Sequence, residues 1–226
     1  MQSFRAGGIA AVICALTYVF GFVLFIGVIA PPEAQSDISR LHSLIAQRDV
    51  FYIGYLVIGI VFSLSLIALN QSLQTRFVKS SPVLSNYNVV LGNIWATFVL
   101  ASTFVFLVNL SLLTKYANTD ENNAVITMNT IHIVVDALGG GIELIGALWV
   151  FVISYMGLKQ SIYPKATHIL GLIVGLAGVL TLFSGLSMLA DNVFFEATTT
   201  IFGLGQILWF ILLGTHLLKD NQIMRK

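Results

Sequence analysis

His132, Asp136 and Glu143 are the side chains of this sequence that most need a chemical reason, because they interrupt the apolar run IHIVVDALGGGIELIGALW at residues 131–149. An imidazole with two carboxylates can relay protons, hold a cation or supply general acid and base groups. On a continuous helix turning about 100° per residue, the three fall at about 0°, 40° and 20°. They therefore share one stripe with Gly139, Gly146 and Ala147. Carboxylates are costly against lipid and small residues let a neighbouring helix approach, so the stripe is expected to face the interior of a bundle. With the helix entering from outside, Asp136 lies about 6 Å deeper than His132 and Glu143 about 10 Å deeper again.

Other polar residues fall at matching depths: Asn109, Tyr52, Tyr55, Thr181, Ser184, Ser187 and Gln206 in the outer halves of their helices, and Tyr18 near the middle of the first. Apart from Asn93, Ser63 and Ser65, the inner half is poorer in such groups. The pattern predicts a polar pocket open to the extracytoplasmic side, with His132, Asp136 and Glu143 as its ionisable elements.

The bland alternative is a pair of buried carboxylic acids hydrogen-bonded across helices. One interhelical bond of about 0.6 kcal/mol does not offset the ~2.5–3.5 kcal/mol of placing such a group at the bilayer centre, which favours a functional role. His132 and Asp136, at i and i+4, also have the spacing of a metal half-site. A zinc site needs three or four protein ligands, and His42 alone lies on the correct side, since His168 and His216 fall at the opposite helix ends. No metal or cofactor is expected, and His42, His132 and Asp136 are the residues a metal would use.

Three successive glycines, Gly139 to Gly141, predict local unwinding beside the carboxylates. Gly171, Gly175 and Gly178 predict close helix packing. Trp149 and Trp209 are expected as lipid-facing or core side chains.

The elements that carry these residues follow from composition. A chain of 226 residues that is 57% hydrophobic and 9% charged is outside the range of soluble domains. Six apolar stretches of membrane-spanning length occur at about 7–30, 50–69, 89–114, 131–158, 167–190 and 198–218. The expected fold is all-α, a single polytopic membrane helix bundle over residues 1–226. The first stretch is longer than a signal-peptide core and Pro31 is a poor cleavage context, so it is expected to be a retained helix. Between the first two stretches, Ile38, Leu41, Leu44 and Ile45 recur at helical spacing and predict a short amphipathic helix on the outer surface.

Eight Lys and Arg residues lie on one side and three on the other, which predicts both termini in the cytoplasm. The net charge of +1 and the lack of a basic run or phosphate-binding loop exclude nucleic acid as a partner, leaving the lipid bilayer and a small solute or proton. Cys14 is the sole cysteine, so disulfides and Cys-based redox pairs within the chain are excluded. There is no nucleophile elbow and no His-Glu-x-x-His motif. The similar openings RAGGIAAV and KATHILGL are too short to establish an inverted repeat.

The segment GGGIELIGALWVFVISYMGLKQSIYPKATHILGLIVGLAGVLTL, 139–182, resembles uncharacterised bacterial multi-helix integral membrane proteins. They similarly have a Gly-Gly-x-x-Glu helix, a short Pro-containing loop and a glycine-rich helix. The resemblance covers about one fifth of the chain, implies an inner-membrane helix bundle and carries no activity or site residue. The functional expectation is an inner-membrane protein that binds or transports a small solute or proton. The alternatives are an intramembrane enzyme acting on a lipid-soluble substrate and an accessory protein with a structural polar network.

Overall fold

The computed structural model describes residues 2–29, 36–139, 142–189 and 192–223. Among them there is no strand, and the helices are α1 (Gln2–Phe22), α2 (Asp37–Ala46), α3 (Arg48–Tyr55), α4 (Phe62–Phe77), α5 (Pro82–Ala117), α6 (Glu121–Gly139), α7 (Leu144–Gln160), α8 (Lys165–Leu180) and α9 (Val193–Ile223). Two stretches wind as π-helix: Val23–Val28 continues α1, and Leu56–Val61 joins α3 to α4. A 3-10 turn, Thr181–Gly185, continues α8. Among the described residues six spans are long and apolar enough to cross a membrane: Phe4–Val28, Arg48–Phe77, Pro82–Ala117, Glu121–Gln160, Lys165–Gly185 and Val193–Asp220. The protein is a multi-pass membrane helical bundle.

Several helices outrun the bilayer. α5 has 36 residues, about 54 Å against a hydrocarbon core of ~30 Å. Polar residues that end a hydropathy window do not end a helix whose backbone stays hydrogen-bonded. Helix starts are set locally. Pro82 opens α5, where its missing N–H is no loss. The Ser36 hydroxyl accepts from the Ser39 N–H at 3.2 Å to cap α2, and Asp120 Oδ1 accepts from the Asn123 N–H at 3.1 Å at the head of α6.

The chain forms two compact units. The first comprises residues 1–16, 63–96 and 142–226. Here α8 packs on α7 and α9 through its glycines. A Cβ on Gly171 would lie 1.9 Å from Ser154 Oγ and 2.4 Å from Trp209 Nε1; one on Gly175 would meet the Ala147 carbonyl at 2.8 Å; one on Gly178 would meet Phe202 at 2.5 Å. Trp149 and Trp209 are fully buried, edge to face at 5.7 Å, so they belong to the core. Gly8 of α1 lies against Gly214 and Leu218 of α9, which brings the first turns of α1 beside the last turns of α9.

The second unit comprises residues 17–62 and 97–141. The amphipathic segment is helical as its spacing requires. Its apolar face is spent on protein: Leu41 is fully buried with Leu113, Ala124 and Met128. A polar rim secures it, with His42 Nε2 2.5 Å from Glu121 Oε1 and Asn129 Nδ2 donating to Asp37 Oδ2 at 3.0 Å. Each π-helical stretch packs on the helix that precedes the other, since a Cβ on Gly54 of α3 would strike Leu24 at 2.3 Å and one on Gly21 of α1 would touch Ile58 at 3.3 Å.

Candidate functional site

The continuous stripe expected along residues 131–149 is not formed. α6 ends at Gly139 and α7 begins at Leu144, with Ile142 and Glu143 in neither helix. Gly140 and Gly141, where unwinding was expected, lie outside the described residues. The break removes the angular relation between Glu143 and the pair His132 and Asp136, which holds only along an unbroken helix. Glu143 stands at the head of α7, half-buried, with its carbonyl accepting from the Ala147 N–H at 2.9 Å and its side chain making no capping bond.

His132 and Asp136 do pair, with Nε2 to Oδ2 at 3.3 Å. The orientation differs from expectation, because their side chains are 55% and 57% exposed rather than interior. The inward positions of α6 belong to Ala124, Met128 and Val135. Helical spacing identifies a shared face but not which of two polar-tolerant faces the neighbours cover.

Tyr55 of α3 lies close enough to Asp136 to feel its charge. Its ring is stacked on Phe106 with centroids 3.7 Å apart and planes at 11°, and Phe25 meets it edge-on at 6.2 Å. Aromatic contacts on two sides fix the orientation of this ring. The π-helical stretch begins at the next residue, Leu56. Single-turn π segments recur at functional sites because they re-aim side chains within a helix. The second unit thus pairs His132 with Asp136 on an exposed face, with the half-buried Tyr55 within range of the Asp136 charge.

Of the other expected residues in this unit, Tyr52 is exposed, Tyr18 meets Phe62 edge to face at 5.4 Å, and Asn109 is buried with its Oδ1 lacking a hydrogen-bond partner. In the first unit, Ser184 is exposed in the 3-10 turn and donates to the Thr181 carbonyl at 2.7 Å. Gln206 is fully buried on α9, and neither its Oε1 nor its Nε2 has a partner. His42 pairs with Glu121, while among the described residues no three His, Cys, Asp or Glu side chains converge as a metal site would require. The set His42, His132 and Asp136 is therefore not assembled.

A polar centre in the first unit was missed from sequence. Trp149 Nε1 donates to Asn70 Oδ1 at 3.1 Å, and Asn70 Nδ2 donates to the Val89 carbonyl at 3.0 Å and to Asn93 Oδ1 at 3.1 Å. With its amide turned to suit these neighbours, Asn88 donates to the Trp149 carbonyl and accepts from the same indole, both at 3.1 Å. Gly92 makes room, since a Cβ there would lie 2.6 Å from Trp149 Nε1. Asn70 and Asn88 sit just outside the apolar windows 50–69 and 89–114, so they read as loop residues. The available signal was the absence of Gly or Pro until Pro82, which lets α4 run on to Phe77.

A second cluster lies where the connection from α7 to α8 meets the end of α9. Arg76 Nε is 3.4 Å from Asp220 Oδ2, and its guanidinium is 5.8 Å from the Tyr163 ring centroid. Burial pushes the Tyr163 hydroxyl above its ordinary range; the Asp220 charge adds to this and Arg76 opposes it.

No known protein family matches this chain, nor does any curated protein or solved structure.

Proposed function

We propose that the protein binds or transfers a proton or small solute across a bacterial inner membrane, with Asp136 as the ionisable acceptor, His132 as its relay and Tyr55 as a hydrogen-bonding neighbour. The supporting observation is the His132–Asp136 pair itself, half-exposed within an apolar span. Against lipid such a group costs ~2.5–3.5 kcal/mol, so the face that carries it is kept for contact with water, solute or protein. The adjoining helix break supports the same reading, because broken membrane helices leave backbone groups free to line a path for ions. The excess of Lys and Arg on one side of the spans supports a cytoplasmic location for both termini, which puts the pair towards the extracytoplasmic side.

Reconstitution into liposomes with an internal pH indicator tests this. The wild-type protein is expected to dissipate an imposed proton or cation gradient. Asp136→Asn should abolish the flux with no more than about 1 kcal/mol change in stability, as for other exposed charges. Silent wild-type liposomes, together with unchanged cells carrying Asp136→Asn, would end this proposal.

A further inference from the structure

The four residues joining α7 to α8, 161–164, include two non-glycine residues with left-handed backbones, Ser161 at φ 53° and Tyr163 at φ 67°. A Cβ is penalised in that region, and such strain persists only where the surroundings hold it. Here the holders are visible. The His168 imidazole donates from Nε2 to the Ile162 carbonyl, and the Ile162 N–H donates to the Gly157 carbonyl at 3.0 Å. Gln160, at the end of α7, bonds Ser80 through its Oε1 and donates to Ser81 Oγ at 2.6 Å. The Tyr163 ring stacks with His216 at 5.4 Å and 15°, and with His168 at 6.4 Å and 26°. His216 Nε2 in turn is 3.1 Å from Thr167 Oγ1.

We propose that residues 161–164 are a pH-sensitive latch, closed while His216 and His168 are neutral and released when they take up protons. Histidine is the side chain whose ordinary titration falls between about pH 5 and 8. The charged and titratable groups around His216 are Tyr163 from the connection, His168 from α8, and Lys219 and Asp220 from α9, and Arg76 from α4 joins them through Asp220 and the Tyr163 ring. With both imidazoles neutral, Arg76 and Lys219 are balanced in part by Asp220. Protonation adds up to two positive charges and no new carboxylate, and Arg76 already lies over the Tyr163 ring.

His168 supplies a second, geometric reason. Its Nε2 must carry hydrogen to donate to the Ile162 carbonyl, so a further proton goes to Nδ1. That atom is buried and has no hydrogen-bond partner. The charged ring gains a stronger bond from Nε2 to the Ile162 carbonyl but leaves a charged N–H buried without an acceptor, the larger of the two effects. Release would relax the left-handed residues, so the strain in the connection favours opening once the clamp weakens.

Hydrogen–deuterium exchange on the full chain in nanodiscs tests the latch. Between about pH 7.5 and 5.5, after correction for the intrinsic exchange rate, amides of residues 160–163 and 165 should exchange about tenfold faster while those around Trp209 in α9 stay protected. His216→Phe keeps a ring against Tyr163 but cannot titrate, and should remove most of the rise. Should that variant misfold, His216→Asn serves the same purpose. An absence of any rise in the wild type, or an undiminished rise in the His216 variant, overturns the proposal.

Discussion

In the unit built on α7, α8 and α9 a centre of amides is buried and hydrogen-bonded, whereas in the unit built on α2, α3 and α6 the ionisable pairs lie outward. Asn70, Asn88 and Trp149 are nearly or wholly buried and hydrogen-bonded, and glycines bring the helix backbones close enough to enclose them. His132 and Asp136 are each more than half-exposed, and His42 and Glu121 pair across an open rim. In an apolar medium a paired amide is affordable and an ionised group is not, so amides can serve packing while charges need water, solute or a partner. The contrast sets a packed scaffold against an exposed ionisable pair, and Gln206 is its sharpest exception, since it is buried in the scaffold without a partner.

The contrast is most easily broken at the glycines. Gly171→Leu should abolish folded yield or cost at least about 3 kcal/mol, because Ser154 and Trp209 occupy the space its side chain needs. Gly27→Leu, where a Cβ meets nothing within 4 Å, should change stability by less than about 0.5 kcal/mol. Thermal unfolding in detergent, followed by the monodisperse fraction on size exclusion, checks both. Equal tolerance at the two positions would mean that α8 is not tightly packed.

A smaller effect is expected at the amide centre. Asn70→Ala leaves the buried Trp149 N–H to Asn88 alone and should cost about 1–3 kcal/mol. Adding Trp149→Phe removes the donor that Asn70 accepts from, so the double variant should lose less than the sum of the two singles, with a coupling of at least about 0.5 kcal/mol. Strict additivity would show that the observed bond contributes nothing.

The smallest expected change has the opposite sign. Gln206→Leu replaces two unpartnered amide atoms by hydrocarbon and should be neutral or stabilising by up to about 1 kcal/mol. A loss of more than that in the same unfolding assay would show that the amide has a partner in the native protein, and Gln206 would move from scaffold to site.

Much of the candidate site was legible because its signals are local. An i, i+4 pair in an apolar run needs only helical geometry to meet, and His132 and Asp136 do so at 3.3 Å. The glycines of α8 were legible for the same reason. Glu143 was misplaced because the face of a residue beyond a glycine run depends on whether the helix continues, and about 1 kcal/mol per glycine is enough to let it stop. Asn70 and Asn88 were overlooked because hydropathy treats every amide as an exit from the membrane.

The sequence by itself determined the all-helical class and the six spans, because hydrocarbon thickness, helical rise and the need to satisfy every backbone amide act on each segment separately. It also determined the amphipathic helix at Asp37–Ala46, whose period is written in ten residues. Only the tertiary structure decided which polar groups are inside. Trp149 finds Asn70 across 79 residues of chain, and His42 finds Glu121 across the same separation. It likewise decided that His132 and Asp136 face outward and that Tyr55 stacks on Phe106. Burial and pairing are properties of neighbours brought from distant parts of the chain, and a periodic pattern can show that a helix has two faces without showing what will cover either.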